Sequence, residues 1–361
     1  MTRLVYVSPV PWNSMPQRPH FFVEQALRNG VSRVLWVEPT PSRLPGLRDL
    51  RRGHRSSREP DNQLIDTRII SMSAGLLPVE PVPILSSLLN APGVQAALQR
   101  IRSFAEGPTL LVIGKPTRLA LALIGESGLW KATAYDAMDN FPAFFKGWTR
   151  SHVSRIEARI VSRVDHLLCS ASRLQQHFAR ESLLIRNACS SELKRQMSKI
   201  DKPSNPVPVL GFVGTMADWL DWEAVVRLAR TFPDCRVVMV GPRKAPSPAG
   251  LPDNVSIHPA VGHSEMAALL KSFDYGLIPF KRDDLTECVD PIKYYEYCAA
   301  GIGVLTTSFG EMRLRGEATA VWDLERVIDG GRLPDLGNDL SSNAVVWEDR
   351  FDEALFARLL T

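Results

Sequence analysis

Short apolar runs alternate along the chain with longer segments in which apolar residues recur every three or four positions. Runs of the first kind predict buried strands, and segments such as 20–28 and 151–164 predict amphipathic helices. Strict alternation of the two predicts the α/β class, with parallel sheets covered by helices. In the first half, the predicted strands are 4–7, 34–37, 110–113, 132–136 and 166–170.

A polar break divides this pattern into two domains. Residues 191–208 contain Pro203, Pro206 and Pro208 and predict a linker. We therefore expect an N-terminal domain over 1–190 and a C-terminal domain over 209–345. Residues 346–361 are expected to form a helix that crosses back to the first domain. In the second half, the predicted strands are 209–214, 236–241, 255–257 and 275–280.

Composition narrows the class of protein. Of 361 residues, 45% are hydrophobic, and the mean hydropathy of −0.08 fits a soluble protein without a membrane span. The net charge of +4 is small, and no zinc-ligand spacing or RNA-binding aromatic motif occurs, so no nucleic-acid partner is expected. The five cysteines contain no CxxC pair, and no signal sequence precedes the first strand, so we expect a cytoplasmic protein.

Residues 290–301 carry the most informative motif, because a helix start follows a predicted strand there. Asp290 suits an N-cap and Pro291 a first helical turn. The free N–H groups of a helix start attract phosphate, and Lys293 adds a full positive charge. Glu296, on the same face, could accept from ribose hydroxyls. The motif predicts a nucleotide site at the carboxyl edge of a sheet; a capped helix with a surface Lys–Glu pair is the alternative.

Residues 43–94 form a second unusual segment. Six arginines lie within 43–58, and an apolar, proline-broken stretch follows over 76–89. One interpretation is a solvated basic loop beside a core helix. The other is a basic and apolar patch that contacts anionic lipid at the inner leaflet of the membrane.

Four stretches resemble the donor domain of GT-B glycosyltransferases: 210–215, 238–242, 273–280 and 293–301. In the N-terminal half, Trp12, 18–20, 37–39 and 135–139 are similar to a bacterial polysaccharide group that includes teichuronic-acid-type transferases. The spacing of Lys293 and Glu296 is similar to that of xanthan-type glucuronosyltransferases. The resemblance implies two Rossmann-like domains that face each other across a cleft, the first binding the acceptor and the second the nucleotide sugar.

The resemblance also implies donor-binding residues and a metal-independent reaction. No Asp-x-Asp stands in a convincing metal setting, so neither a metal nor a cofactor is expected beside the UDP-sugar. The sequence departs from the commonest retaining pattern, since Cys288 stands where the first of two glutamates would fall. The donor-binding candidates are Gly214, Thr215, Gly241, Pro242, Ile292, Lys293 and Glu296.

The catalytic base is expected in the N-terminal domain. Asp136 ends a predicted strand and Asp139 lies in the loop after it, where site residues of open sheets are found. Either carboxylate could deprotonate an acceptor hydroxyl in an inverting displacement, and Asp139 is preferred. Alternatively, both cap the following loop. His20 is a competing base, and Arg18 is a candidate for binding phosphate or the acceptor pyrophosphate.

Together these features predict a bacterial, membrane-peripheral glycosyltransferase at the cytoplasmic face of the inner membrane. It would move glucuronic acid, or as second choice glucose, from a UDP-sugar to a lipid-pyrophosphate-linked oligosaccharide during exopolysaccharide assembly. Two alternatives remain open: a nucleotide-sugar epimerase of the same fold, and a non-catalytic scaffold of a polysaccharide complex.

Overall fold

A computed structural model describes residues 1–40, 63–77, 79–80, 82, 86, 88–335 and 344–360. The chain forms two compact units. The first comprises Met1–Ser170, Leu174–Ile185 and Phe351–Thr361, and the second comprises Ala171–Arg173 and Arg186–Arg350.

The first unit is built on a sheet whose described strands run in the order β3-β4-β2-β1-β5-β6-β7-β8. All neighbours are parallel except the antiparallel pair β3 and β4. Two of its central strands, Thr109–Ile113 and Ala132–Ala137, are fully buried, as expected for a parallel sheet covered on both faces. The strands are β1 Thr2–Val7, β2 Val31–Val37, β3 Gln63–Asp66, β4 Ile69–Met72, β5 Thr109–Ile113, β6 Ala132–Ala137, β7 His166–Cys169 and β8 Leu183–Leu184.

The second unit contains a parallel sheet in the order β11-β10-β9-β12-β13-β14. The strand order reverses between β9 and β12, and these two strands pair only through Leu210 with Tyr275 and Gly211 with Gly276. A crevice at the carboxyl ends of such a reversal is where open α/β sheets bind ligands. The strands are β9 Val209–Val213, β10 Arg236–Val240, β11 Val255–His258, β12 Tyr275–Ile278, β13 Gly303–Thr306 and β14 Val321–Asp323.

Helices connect the parallel strands, and the predicted α/β class with parallel sheets is confirmed. Within the described ranges, no helix is long and apolar enough to cross a membrane. The α-helices are α1 Arg18–Arg28, α2 Ala91–Phe104, α3 Arg118–Ile124, α4 Gly147–Val161, α5 Ser172–His177, α6 Ser191–Met197, α7 Trp222–Thr231, α8 His263–Lys271, α9 Ile292–Ala300, α10 Leu324–Gly330 and α11 Glu353–Leu359.

The unit boundaries differ from the predicted 1–190 and 209–345. The chain passes into the second unit at Arg186, and α6 occupies the first part of the predicted linker 191–208. Leu193 and Met197 of this helix are buried in the core of the second unit, because their i, i+4 spacing gives α6 an apolar face. Residues 351–361 of the predicted C-terminal segment 346–361 group with the first unit, where the Phe356 and Phe22 rings lie 5.3 Å apart.

Candidate active site

Two glycines bring the loops after β9 and β10 into contact at the carboxyl edge of the second sheet. Gly214 has φ +151° and Gly241 has φ +144°, conformations that side chains other than hydrogen strongly disfavour. A Cβ on Gly241 would lie only 2.1 Å from the Gly214 carbonyl oxygen. The Gly214 N–H donates to Val240 at 2.8 Å, which fixes the loop against β10. The edge is therefore formed by the closely packed backbone of two glycines, without side chains of their own.

Lys293 of helix α9 lies directly against this backbone. A Cβ on Gly214 would lie 2.5 Å from the Lys293 Nζ, so only glycine leaves room for the lysine side chain. The Nζ lies 5.8 Å from the centre of the Phe212 ring. Burial lowers the pKa of Lys293, while the charge of Glu296, one turn later, acts in the opposite direction. Lys293 forms no ion pair with any residue that the structure describes, so its charge is available to an external anion.

The start of helix α9 is free of side-chain caps. Pro291, in an extended conformation, is the N-cap residue, and no side chain accepts from the first amides. These amides and the positive end of the helix dipole are suited to a phosphate. The prediction that Asp290 caps the helix is wrong. Its side chain instead accepts hydrogen bonds from Arg315, Tyr295 and Asn187.

Asp290 is the centre of a buried cluster behind the helix start. Its carboxylate accepts from the Asn187 backbone N–H at 2.7 Å, from the Tyr295 hydroxyl at 2.9 Å and from the Arg315 guanidinium at 2.7 Å. The guanidinium also lies 3.8 Å from the centre of the Tyr294 ring. This cluster fixes the loop that presents Lys293. The sequence reasoning missed Arg315 and Asn187, since neither lies at a fixed spacing from the helix motif.

The remaining donor-binding candidates flank this centre. Thr215 and Ile292 are half-buried, and Glu296 is half-buried one turn after Lys293. Pro242 is exposed, and its carbonyl accepts from the Met216 N–H at 3.0 Å. Gly214 thus packs against both Gly241 and Lys293. The other four candidates lie one to three positions from one of these residues in the sequence.

Cys288, which stands where the commonest retaining pattern has a glutamate, is buried. The nearest acidic residue, Glu287, forms an ion pair with Arg313. The carboxylate of Glu287 therefore already has a cationic partner within the protein. Among the described residues, no cluster of three or more histidine, cysteine or acidic side chains is arranged to hold a metal ion.

At the carboxyl edge of the first sheet, Asp136 forms a buried ion pair with Arg18. The Arg18 Nη2 lies 2.8 Å from the Asp136 Oδ1, and the two side chains are only 2% and 0% exposed. The Tyr6 hydroxyl donates to Asp136 at 3.0 Å, and Arg18 also donates to the Ile185 carbonyl at 2.7 Å. A carboxylate and a guanidinium so enclosed cannot reach an acceptor. The geometry therefore argues against the predicted roles of Asp136 as base and Arg18 as phosphate ligand, and indicates a structural pair.

Asp139 differs from Asp136 although it is only three residues away. Its side chain is half-buried, and no described residue donates a hydrogen bond to its carboxylate. Burial raises the pKa of Asp139 to about 7; the Arg18 charge lowers it, and the Asp136 charge raises it further. A carboxylate with a pKa near neutrality and an unoccupied oxygen has the properties of a general base. Neither aspartate caps the following loop, so that alternative is not observed.

His20 is held by its own helix start. Its Nδ1 accepts from the Gln17 N–H at 3.1 Å, and its Nε2 lies 3.0 Å from the Trp12 carbonyl oxygen. This arrangement assigns the proton to Nε2, and burial lowers the pKa of the ring. Both nitrogens are thus engaged, which argues against His20 as the base.

Comparison with known proteins places this geometry in context. No protein-family model matches the sequence. The chain is similar to TuaH of Bacillus subtilis, whose name describes a glycosyltransferase of teichuronic acid biosynthesis, with 26% identity over 203 residues. The alignment covers 50% of this chain and 51% of TuaH, so the chain spans about half the length of that curated relative.

Solved structures extend the likeness to nearly the whole chain. Sucrose-phosphate synthase from Thermosynechococcus elongatus has a TM-score of 0.67 at 13% identity, covering 99% of this chain and 97% of its own. Anabaena HepE, in complex with UDP and glucose, gives 0.59 at 13% identity, covering 99% and 98%. The UDP-forming trehalose-phosphate synthase of Burkholderia xenovorans gives 0.60 at 11% identity, covering 100% of both chains. The fold is that of GT-B glycosyltransferases, as the sequence resemblance predicted.

Proposed function

We propose that this protein is a glycosyltransferase that takes its sugar from a UDP-sugar. The observation that carries the proposal is the packing of Lys293 against the Gly214 backbone, at the strand-order reversal of the second sheet and beside an uncapped helix start. A cation, free amides and closely approachable backbone together suit a diphosphate. The name of TuaH and the UDP and glucose bound to HepE support the same class of donor.

The donor-binding roles follow from these positions. Lys293 and the amides of the α9 start would stabilise the diphosphate as negative charge develops on it. Glu296 would accept from the ribose hydroxyls, and the Gly214–Thr215 backbone would pack against the phosphates. Gly241, Pro242 and Ile292 would line the nucleotide. The reaction would need neither a metal ion nor a further cofactor.

Asp139 is the proposed general base of an inverting displacement. The acceptor hydroxyl oxygen would attack the anomeric carbon of the sugar, whose bond to the diphosphate oxygen breaks. UDP would leave with the bonding electron pair, and the hydroxyl proton would pass to Asp139. A pKa of about 7 favours this role, because the carboxylate is then both ionised and basic near neutral pH. The structural neighbours include retaining-type synthases, so the anomeric configuration of the product is the decisive observation.

The proposed sugar is glucuronic acid, with glucose as second choice, and the proposed acceptor is a lipid-linked oligosaccharide of exopolysaccharide assembly. Lys281 and Arg282, both exposed and adjoining the end of β12, could face a sugar carboxylate. A lipid-linked acceptor requires the protein to work at the cytoplasmic membrane surface. The proposed patch over 43–94 would make that contact. Residues 43–62, 78, 81, 83–85 and 87 of it lie outside the described residues.

A thermal-shift series would test the donor site. The ligands are UDP, UDP-glucuronate, UDP-glucose, UDP-N-acetylglucosamine and GDP-mannose, applied to the wild type and to Lys293→Ala. A ligand that binds the folded state raises the melting temperature, so we expect a shift with a uridine nucleotide that Lys293→Ala abolishes. Lys271→Ala is the matched control, because Lys271 is also half-buried in the second unit but ends helix α8.

Three outcomes would change the proposal. No shift with any nucleotide would contradict the donor site and favour the scaffold. Equal losses in Lys293→Ala and Lys271→Ala would show that Lys293 has no specific role. Conversion of UDP-N-acetylglucosamine without an acceptor would identify an epimerase instead.

A further inference from the structure

The first unit contains a groove that none of the proposed donor or base residues lines. It has a volume of about 900 Å³ and lies among helices α2, α3 and α4 and the segment that precedes α2. Its wall is largely aliphatic. The apolar side chains that line it include Leu76, Val94, Leu121 and Ile156.

Four arginines supply most of the charge among the described residues that line this groove. Arg155, Arg159 and Arg163 recur at i, i+4 and i+8 on and just beyond α4, and Arg118 begins α3 on the opposite side. Like charges at i, i+4 repel each other, so an anion would stabilise this stripe. The one acidic residue of the lining, Glu80, is 4% exposed and accepts from the Arg118 backbone N–H at 2.6 Å. Burial raises the pKa of Glu80 to about 7, which weakens it as a counter-charge.

A buried histidine points to a missing ligand in the same groove. His152 is 8% exposed, and its Nε2 has no hydrogen-bond partner among the residues that the structure describes. A buried polar atom without a hydrogen-bond partner destabilises the folded state. His152 also lines the groove, one helical turn before Arg155 of the basic stripe and Ile156 of the apolar wall. A ligand oxygen beside His152 would satisfy the ring nitrogen.

Three exposed apolar side chains lie close in sequence to residues that line the groove. Leu77 is 42% exposed, Leu88 70% and Trp148 62%. The Arg155 guanidinium lies 5.8 Å from the centre of the Trp148 ring, so an aromatic ring adjoins one of the groove-lining cations. Indole rings and arginines in this combination are typical of surfaces that meet lipid headgroups.

We propose that this groove binds an anionic membrane phospholipid, with its phosphate between His152 and the arginine stripe and its chain along the aliphatic wall. Neither the arginines nor the apolar wall alone would select this ligand; their combination with His152 in one groove matches a molecule that is anionic at one end and apolar at the other. The inference rests on the proposed function in one respect, the membrane location of the acceptor. It adds a specific lipid site to the general patch proposed for 43–94.

Dodecyl phosphate, kept below its micelle concentration, is a soluble probe of this site. Calorimetric titration of the full chain is expected to show one saturable site. Inorganic phosphate should bind at least about tenfold more weakly because it lacks the chain that would be buried against the apolar wall. Dodecyl maltoside should also bind at least about tenfold more weakly, because it lacks the charge that strengthens hydrogen bonds to arginine. Arg155→Ala/Arg159→Ala should lose at least about tenfold in affinity for dodecyl phosphate for the same reason.

The control variant removes the same charge elsewhere. Arg230 and Arg236 are exposed in the second unit, and Arg230→Ala/Arg236→Ala should bind dodecyl phosphate as the wild type does. Equal affinity of the wild type and Arg155→Ala/Arg159→Ala would overturn the proposal, as would an equal loss in the control.

Flotation with vesicles of phosphatidylcholine, with and without phosphatidylglycerol, checks the source of the ligand. Weaker vesicle binding by Arg155→Ala/Arg159→Ala that is confined to the anionic vesicles supports a bilayer phospholipid. Unchanged binding to the anionic vesicles contradicts it.

The UDP thermal shift separates this proposal from the proposed function. Arg155→Ala/Arg159→Ala should retain the wild-type shift, because the donor residues lie in the second unit. Lipid binding without a nucleotide shift would contradict the donor site alone. A nucleotide shift without lipid binding would contradict the groove alone.

Discussion

The carboxyl edges of the two sheets each carry a basic side chain, but only one of the two has an ion-pair partner among the described residues. Arg18, at the first edge, is enclosed with Asp136 and Tyr6, and its exposed fraction is 2%. Lys293, at the second edge, packs on glycine backbone, and no described residue forms an ion pair with it. A cation whose partner is internal stabilises the fold, whereas a desolvated cation without one is available to an external anion.

The same contrast separates two aspartates of the first edge. Asp136 accepts from Arg18 and Tyr6, while Asp139 receives no hydrogen bond from the described residues. Burial without a partner raises the pKa of Asp139 to about 7. The number of hydrogen bonds that each carboxylate accepts, more than its position along the chain, therefore distinguishes the structural carboxylate from the candidate base.

Breaking the pair of the first edge should have the largest effect on stability. Arg18→Met leaves the Asp136 carboxylate buried without its cation, which is expected to lower the free energy of unfolding by about 3–5 kcal/mol. Urea denaturation followed by circular dichroism measures the loss. Arg18→Met/Asp136→Leu removes both charges and should recover much of it, because an apolar pair of similar volume carries no uncompensated charge. An Arg18→Met protein as stable as the wild type would show that the pair is not structural.

Gly214→Ala should have the next largest effect, and should act on both stability and nucleotide binding. The residue has φ +151°, and the new Cβ would lie 2.3 Å from the Lys293 Cε, so the lysine must move. We expect a loss of about 1–3 kcal/mol in unfolding free energy from the backbone strain, and loss of the UDP thermal shift. Gly128→Ala is the control, since φ is +79° there but nothing lies within 4 Å. If both variants keep the UDP shift, the close approach at Gly214 does not shape the donor site.

Asp139→Asn should separate activity from stability. Below pH 4 the carboxyl is protonated in both the folded and the unfolded protein. As pH rises from about 4 to 7, the unfolded chain loses this proton first because the folded pKa is raised, so the ionisation destabilises the folded state. The variant should therefore gain melting temperature relative to the wild type at pH 8, and the difference should vanish below pH 4.

The same variant should lose the basic catalyst. Sugar transfer by the wild type is expected to rise with pH up to about 7 and then level off, and Asp139→Asn should lose on the order of 100-fold in turnover. Asp201→Asn, at an exposed position, is the control. A product with retained anomeric configuration, or full activity in Asp139→Asn, would rule out the proposed base.

Lys293→Met should change stability least. The substitution removes a charge that burial already disfavours, so the free energy of unfolding should rise or stay within about 1 kcal/mol, in contrast to Arg18→Met. Urea denaturation without ligand measures this effect. A loss as large as that of Arg18→Met would mean that Lys293 has a structural partner after all, and the comparison of the two edges would fail.

Local pattern was sufficient to predict the central strands of both sheets, though not β3, β4 or β14, and a helix that begins within one residue of α9. It also singled out Gly214, Gly241 and Lys293, which the structure brings together. Short apolar runs identify buried strands whatever their neighbours, and parallel strands place the residues after their carboxyl ends along one edge. The same reasoning was wrong for the Asp290 cap, and the geometry disfavours the assigned roles of Arg18, His20 and Asp136. Each of these side chains has its partner far away in sequence or in its own backbone turn, and a list of residue types cannot show which partner it finds.

The sequence by itself determined the α/β class, the two-sheet organisation and the chemistry available at the second sheet edge, because these depend on periodicity and on residues close together in the chain. Only the tertiary structure decided which charges are neutralised internally. Asp136 is 118 residues from Arg18, and Asp290 is 25 residues from Arg315. Desolvation and partner geometry exist only once those segments have packed together, and they separate structural charges from those left for a ligand.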